Sequence, residues 1–260
     1  MKIKVLYEDP NILVIDKPSG ISVHGDGRSK KKTITDWVLK NYPKMKNVGE
    51  PMGEIERSGI VHRLDKDTSG VMLLAKNQKA HEFLKKQFVN REIKKTYVAI
   101  VDGFVKNDRG VIHKPIGRSP KDFRRWLAGR GARGELREAI TEYKVLKRFS
   151  AEADDFFSSA HPSRVRAGTR SAKKNHQLPL HKFTYLEVKP KTGRTHQIRV
   201  HMKFLNHPVV CDQLYNPDSP CLKGISRLAL HAKSIEFKNL KGKTIKVESP
   251  VPLLFKRVVK

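Results

Sequence analysis

The sequence predicts an α+β domain with a largely antiparallel mixed β-sheet flanked by helices and loops. Many short apolar runs are separated by turn residues, which is typical of strands. One of these runs, Val71–Ala75, is apolar throughout and indicates a buried strand. The chain of 260 residues is long enough to bury a substantial core and contains no internal repeat. We therefore expect a single domain that spans residues 1–260.

Turn and capping residues set the expected boundaries of the elements. Thr33 and Asn77 are suited to be helix N-caps, because each precedes a segment with apolar residues on one face. The turn at Thr192–Gly193 leads into a third predicted helix, and Pro252–Val259 is expected to form a short final one. The predicted strands are Lys4–Tyr7, Ile12–Asp16, Val71–Ala75, Lys94–Val101, Gly110–Ile116, Ala139–Leu146, Thr184–Lys189, Leu228–Phe237 and Thr244–Glu248.

The charge of the chain is far from balanced. It has 54 Lys and Arg against 26 Asp and Glu, which gives a formal net charge of +28. Self-repulsion of this size opposes a compact fold, so we expect a polyanionic partner. No segment is apolar enough to span a bilayer and no lipidation signal is present, which favours nucleic acid over a membrane.

The start of the chain lacks the apolar core of a signal peptide, and Cys211 and Cys221 fit no zinc or redox spacing. A reducing, cytoplasmic setting is expected.

The segment Phe149–Lys182 differs in composition from the rest of the chain. No acidic residue occurs from Phe156 to Leu186, whereas Arg and Lys accumulate there together with Ser, Ala, Gly and Pro. This composition predicts an exposed basic insertion at about residues 150–182. Because its charges cannot be neutralised locally, we expect them to face an anionic partner.

Two motifs point to other kinds of site, and we reject both. Gly129–Gly134 has the spacing of a dinucleotide-binding loop, but Arg124–Trp126 before it is not a buried strand. We interpret this segment as a mobile, Arg-rich loop and expect no nucleotide cofactor. His196, His201, His207 and Cys211 lie in one short window, but their spacings fit no standard metal site.

The stretch His62–Gly70, His-Arg-Leu-Asp-Lys-Asp-Thr-Ser-Gly, directly precedes the predicted buried strand. A loop held against a rigid strand is a usual place for functional groups. An ordinary charged turn would have similar charges, but apolar residues interleave with them here. The stretch resembles the catalytic motif of RluA-type RNA pseudouridine synthases, His-Arg-Leu-Asp-x-x-Thr-Ser-Gly, without a gap. Three more segments resemble signatures of that family, in the family's order: Val5–Gly20, Gly193–His201 and Arg227–Ala232.

The resemblance implies three catalytic residues. Asp65 matches the catalytic aspartate, and Tyr97 lies where the family has an active-site tyrosine that stacks on the target base. Arg199 matches the cation that is expected to keep Asp65 ionised. Breaking a glycosidic bond develops positive charge at the anomeric carbon, and a carboxylate stabilises that charge or attacks the carbon covalently. Without the resemblance, Tyr97 would be interpreted as a core tyrosine on a strand.

Further residues are implied to contact the substrate. Arg63 matches a residue near the position that the flipped base leaves, although a phosphate or structural contact is the alternative. Leu228 or Leu230 is expected to form an apolar wall against uracil, with a core role as the alternative. Arg118, Arg124 and Arg125 fall in the region that resembles a mobile finger reaching the RNA.

The resemblance implies an RNA pseudouridine synthase, an isomerase without cofactor or metal, acting as a monomer. Large-subunit ribosomal RNA is the first expected substrate and transfer RNA the second. A non-catalytic RNA-binding or ribosome-assembly protein and a hydrolase that releases uracil are the alternatives. Because the opening signature begins at the start of the chain, we expect no separate N-terminal RNA-binding domain.

Overall fold

The structure is a computed structural model that describes residues 3–25, 32–50, 58–154, 180–217, 219 and 221–259. Most of the expected basic insertion, residues 155–179, lies outside the described residues. No helix in the described part is long and apolar enough to cross a membrane.

The described elements are mainly β-strands. The strands are β1 (Lys4–Glu8), β2 (Ile12–Lys17), β3 (Ser69–Ala75), β4 (Lys94–Asp102), β5 (Arg109–His113), β6 (Ile116–Arg118), β7 (Trp126–Ala128), β8 (Arg133–Arg137), β9 (Ile140–Asp154), β10 (Leu180–Pro190), β11 (Cys221–Leu222), β12 (Leu230–Lys238) and β13 (Thr244–Glu248). The helices are α1 (Ile34–Asn41), α2 (Gln78–Val89), α3 (Gln197–Phe204) and α4 (Leu253–Val258).

The chain divides into two compact units. Unit 1 consists of Met1–Val98, Val188–Thr195 and Leu230–Val251. Unit 2 consists of Ala99–Glu187, His196–Ala229 and Pro252–Lys260. The division falls inside strands β4 and β10.

The sheet of unit 1 is centred on β3. Its strand order is β1-β2-β3-β12-β4, and β13 pairs with β12. β3 runs antiparallel to β2 and parallel to β12, so the sheet is mixed, as predicted. Every residue of β3 is buried, because the strand has a neighbour on both edges and apolar side chains on both faces. Each buried Leu or Met side chain of this kind contributes about 1.5–3 kcal/mol relative to an exposed one.

Gly70, at the start of β3, allows a close approach of two backbones. Its φ is +116°, and a Cβ at this position would lie 2.2 Å from the carbonyl oxygen of Ala232 on β12. Any other residue would push the two parallel strands apart. The glycine that ends the His62–Gly70 motif therefore fixes the register at the head of the central strand.

Helices α1 and α2 begin at the predicted caps. Thr33 and Asp36 form a capping box, with the Thr33 Oγ1 accepting from the Asp36 backbone and the Asp36 carboxylate accepting from the Thr33 backbone. The Asn77 side chain accepts from the backbone N–H of Ala80 at 2.9 Å. Both N-cap predictions are confirmed.

Unit 2 contains a larger and a smaller sheet. The larger has the order β4-β10-β9-β11, with β5 paired to β9, and the smaller has the order β7-β6-β8. The single strand predicted for Gly110–Ile116 is wrong, because the chain leaves β5 after His113 and starts β6 at Ile116. Pro115 lies between them and has no backbone N–H to offer a ladder. The predicted Arg-rich loop is also shorter than expected, since β8 begins at Arg133.

Two side-chain sets in unit 2 bear on the sequence predictions. Cys211 and Cys221 form a disulfide with a Cα–Cα distance of 5.1 Å. On α3, the ring nitrogens of His201 contact the Thr141 hydroxyl at 2.8 Å and the Lys114 carbonyl at 3.0 Å. This histidine therefore links α3 to the chain on either side of β6–β8.

Candidate active site

The loop that contains Asp65 is held through its backbone by a buried lysine. The ammonium of Lys17 donates to the carbonyl oxygens of Pro18 at 2.9 Å, Ile21 at 2.8 Å and Lys66 at 2.9 Å. The Lys17 side chain is fully buried, and these three acceptors match the three donors of an ammonium. Because Lys66 follows Asp65 directly, the lysine fixes the loop at the residue next to the carboxylate.

More contacts join the loop to its surroundings. The backbone N–H of Gly20 donates to the same Lys66 carbonyl at 2.9 Å, and the Ser19 hydroxyl donates to the Asp67 carbonyl at 2.6 Å. Within the loop, the Thr68 N–H donates to the Asp65 carbonyl at 3.2 Å, which closes a turn. These contacts use backbone atoms of the loop and therefore fix its path without using its side chains.

His62 is held in one tautomer at the start of the motif. Its Nε2 accepts from the backbone N–H of Leu73 on β3 at 2.9 Å, so the ring proton of the neutral form is on Nδ1. The ring packs against Phe88 with centroids 4.9 Å apart. Removal from water, and secondly the charge of Lys95, lower the pKa of His62 to about 3. His62 is therefore a neutral structural contact at physiological pH.

Tyr97 lies on β4 close enough to Asp65 to respond to its charge. Burial, and secondly the Asp65 carboxylate, raise the pKa of Tyr97 well above its usual value of about 10. The phenol therefore keeps its proton at neutral pH and can donate a hydrogen bond. Both residues are half-buried, which leaves part of each surface open to a ligand. Arg63, in the same motif, is exposed.

In unit 2, Arg199 on α3 forms a bidentate ion pair with Asp212. The Nε–Oδ2 and Nη2–Oδ1 distances are both 2.7 Å, and the two side chains are 9% and 0% exposed. The Asp212 carboxylate also accepts from the backbone N–H groups of Leu214 and Tyr215, each at 3.0 Å. The guanidinium carbon lies 5.0 Å from the centroid of the Tyr215 ring. The guanidinium plane is therefore fixed from two sides.

Tyr215 connects this ion pair to the smaller sheet. Its hydroxyl accepts from the backbone N–H of Trp126 on β7 at 3.0 Å and contacts Nδ1 of His196 at 3.0 Å. Leu228, the expected wall against uracil, is buried at 4% exposure.

The three arginines assigned to the finger lie on or beside the smaller sheet. Arg118 on β6 stacks on Trp126, with Cζ 5.0 Å from the ring centroid. Arg124 forms two hydrogen bonds to the carboxylate of Asp122, at 3.0 and 2.9 Å, and Arg125 is 3.5 Å from the same carboxylate. The hydrogen bonds from Arg124 lower the pKa of Asp122 to about 2.

The sequence interpretation missed the roles of Lys17 and Asp212. Lys17 follows Leu13 and Ile15 at every second position of β2, so the three side chains lie on one face of the strand. A lysine on the same face as two apolar residues indicates a buried ammonium with a structural role. Asp212 is the first acidic residue after Glu187 and follows the apolar pair Val209–Val210. An isolated acid after an apolar run, close in sequence to Arg199, is a candidate for a buried ion pair.

The family assignment follows from comparison with known proteins. Residues 11–204 match the family described as RNA pseudouridylate synthase. An uncharacterized RNA pseudouridine synthase of Aquifex aeolicus is 38% identical over 213 residues, which are 82% of this chain and 56% of the relative. Ribosomal large subunit pseudouridine synthase D of Borreliella burgdorferi is 35% identical over 254 residues, which are 97% of this chain and 66% of the relative. The protein of the same description from Xanthomonas campestris pv. campestris is 34% identical and covers 96% of this chain and 66% of its own length.

Solved structures agree with this assignment. Human RNA pseudouridylate synthase domain containing 4 is similar with a TM-score of 0.65 at 25% identity, over 98% of this chain and 90% of that one. The chain belongs to the RNA pseudouridylate synthase family, and the predicted RluA-type resemblance and fold class are confirmed. It spans between 56% and 66% of the length of the three relatives named above.

Proposed function

We propose that the protein converts uridine to pseudouridine in RNA. The observation that supports this most directly is the Asp65 loop of unit 1, which lies within the matched residues 11–204. The backbone of this loop is tied down by Lys17, and Tyr97 lies within reach of the Asp65 charge. A carboxylate on a fixed loop, within electrostatic reach of an aromatic ring, suits cleavage of the glycosidic bond of a base that stacks on that ring.

The chemistry needs no redox change. The bond from C1′ to N1 of uracil breaks, the base turns, and C5 bonds to C1′. The proton on C5 is then lost and N1 gains one, so atoms and charge balance. The Asp65 carboxylate stabilises the positive charge at C1′ or attacks that carbon. Tyr97 stacks on the base and, since it retains its proton, acts through its hydroxyl as a donor.

Arg199, Arg63 and Leu228 complete the proposed set by their match to the family motifs. We assign Arg199 a catalytic role and Arg63 the position that the flipped base leaves. Leu228 is assigned to the wall of the uracil pocket. Arg118, Arg124 and Arg125 are assigned to phosphate contacts, since their charges lie at the surface of the smaller sheet.

We propose large-subunit ribosomal RNA as the substrate, because two of the relatives have that substrate in their names. Transfer RNA is the second candidate. We further propose that the protein works in the cytoplasm as a monomer without metal or cofactor.

The test uses RNA from cells that lack this protein, grown with uridine tritiated at C5. Incubation of the ribosomal and transfer fractions with the purified protein should release tritium from the ribosomal fraction, and nuclease digestion should yield pseudouridine. Release of free uracil would instead assign a hydrolase. RNA binding without tritium release from either fraction would assign a non-catalytic RNA-binding protein and overturn the proposal.

A further inference from the structure

A lysine near the proposed catalytic residues has no anionic partner in the described part of the chain. Lys95 lies on β4 two residues before Tyr97, so the two side chains project from the same face of the strand. Its ammonium donates one hydrogen bond, of 3.3 Å, to the carbonyl oxygen of Thr192. No carboxylate among the described residues forms an ion pair with it. Two of its three donors are therefore available to a ligand.

The preceding lysine shows what an ordinary surface position on this strand looks like. Lys94 projects from the opposite face of β4, is 77% exposed and forms an ion pair of 2.7 Å with Glu236 on β12. Strand alternation thus separates a paired, solvated ammonium from a half-buried one without a carboxylate. The difference makes Lys94 a matched control for Lys95.

The groups that face Lys95 do not offset its charge. His62 is neutral and lies close enough that the lysine charge helps to lower its pKa, and Tyr97 keeps its phenolic proton. Burial lowers the pKa of Lys95 itself to about 8. The charge of the Asp65 carboxylate acts on Tyr97. Holding an ammonium out of water without a paired anion costs free energy, which an anionic ligand would offset.

The turn beside Lys95 leaves space for such a ligand. Gly193 is exposed, and a Cβ built on it would lie 3.6 Å from the Lys95 Nζ. Because glycine has no side chain, the backbone of the turn borders the ammonium directly. An anion can therefore approach Nζ on the exposed side of the Thr192–Gly193 turn.

We propose that Lys95 and the Thr192–Gly193 turn form an anion subsite that binds a phosphate of the RNA next to the target uridine. The proposal rests on the proposed function, since the anion is a phosphate of the substrate. A phosphate bound here fixes the sugar-phosphate chain close to Tyr97, whose ring receives the base. Charge-assisted contacts of this kind position a nucleic acid without reading its sequence.

The experiment compares Lys95→Met with Lys94→Met, because methionine keeps the apolar stem and removes the charge. The probe is the C5-tritiated RNA from cells that lack the protein. We expect Lys95→Met to raise KM about tenfold, as for one lost charge-assisted contact, and to change kcat far less. In equilibrium binding, the slope of log affinity against log salt should become shallower by about 0.7 for one phosphate on a single strand. Lys94→Met should match the wild type in both measurements.

Three results would overturn the subsite. An unchanged salt slope with a fall in kcat would assign Lys95 to proton transfer. A lower melting temperature with wild-type KM and slope would assign it to holding the turn. A bound phosphate should raise the titration midpoint of Lys95, which the ¹³Cε NMR signal of the lysine follows. A midpoint that stays the same on RNA binding would exclude contact with a phosphate.

The failure of this inference is separate from that of the proposed function. Tritium release by the wild-type protein tests the function alone. The difference in salt slope between the two methionine variants is measured by binding and tests the subsite alone.

Discussion

The Asp65 loop of unit 1 and the small β7-β6-β8 sheet of unit 2 hold their charged residues in opposite ways. The loop is fixed through backbone carbonyls, which accept from a fully buried lysine, a glycine N–H and a serine hydroxyl. The sheet holds its arginines through side chains of its own surface: Arg118 lies on Trp126, and Arg124 and Arg125 lie on Asp122.

The difference indicates that the Asp65 loop is held in one geometry, whereas the arginines of the small sheet can exchange one anionic partner for another. Backbone anchors on buried donors cannot be replaced by a ligand without unfolding the loop, so the geometry around Asp65 is set before RNA arrives. Surface ion pairs contribute little to stability and are screened by salt. The arginines of the small sheet can therefore leave Asp122 for phosphates at small cost.

The largest effect is expected from Asp65→Asn. The amide keeps the shape of the side chain but cannot stabilise positive charge at C1′, so tritium release should fall by at least about a thousandfold. RNA affinity should stay close to the wild-type value. The control is Asp67→Asn, which alters an exposed carboxylate two residues away in the same loop. Turnover by Asp65→Asn near the wild-type rate would exclude Asp65 as the catalytic group.

Removing one partner of the buried Arg199–Asp212 pair should be the largest effect on stability. Each of Arg199→Ala and Asp212→Ala breaks the buried bidentate ion pair from one side, which costs about 3–5 kcal/mol of unfolding free energy. The double variant should lose less than the sum of the two. Arg199→Lys should recover only part of the stability, because an ammonium lacks the planar fork. Urea unfolding of the four proteins measures the coupling, and additive losses would argue against the pair.

Lys17→Met tests the anchor of the Asp65 loop. The variant removes the lysine donor from three carbonyl oxygens, of which that of Lys66 keeps the Gly20 N–H, so we expect a loss of about 3 kcal/mol in unfolding free energy. A displaced loop should also lower kcat more than it changes RNA affinity. Lys94→Met, at an exposed site, is the control. Wild-type kcat in a folded Lys17→Met protein would show that the loop holds its geometry without this contact.

The contacts that hold the Asp65 loop and Arg199 could not be predicted from the sequence. The positions of most strands along the chain, the N-caps at Thr33 and Asn77 and the family motif depend on local patterns, and the sequence contains those. The contacts of Lys17 with Lys66 and of Arg199 with Asp212 depend on how distant or turned segments meet. The short strands β7 and β8 were also missed. β7 has only three residues, too few for alternation to show, and β8 is exposed at all five residues with Leu136 as its one large apolar side chain.

A pH measurement examines the neutral contact made by His62. Its pKa in the fold, about 3, is below the value of about 6.5 in the unfolded chain, so the unfolded state binds more protons between these pH values. Unfolding free energy should therefore fall as pH drops from 6.5 toward 3. His62→Gln retains an acceptor for the Leu73 N–H and cannot titrate, so its stability should fall by up to about 1.4 kcal/mol less per pH unit. His113→Gln, at an exposed site, is the matched control.

The smallest effect is expected at the surface of the small sheet. Arg124→Met removes one charge that is 64% exposed and pairs with Asp122, so the melting temperature should stay at the wild-type value. If Arg124 leaves Asp122 for a phosphate in the complex, the variant makes one phosphate contact fewer than the wild type. Its slope of log RNA affinity against log salt should then be shallower than the wild-type slope by about 0.7 on a single strand. Arg137→Met is the matched control, because Arg137 is 55% exposed and pairs with Glu135 in the same way. An equal change of slope in both variants would assign the effect to general charge, whereas a change in Arg124→Met alone would locate the RNA on the Asp122 side of the sheet. A wild-type slope in Arg124→Met would exclude the exchange of its ion pair for a phosphate.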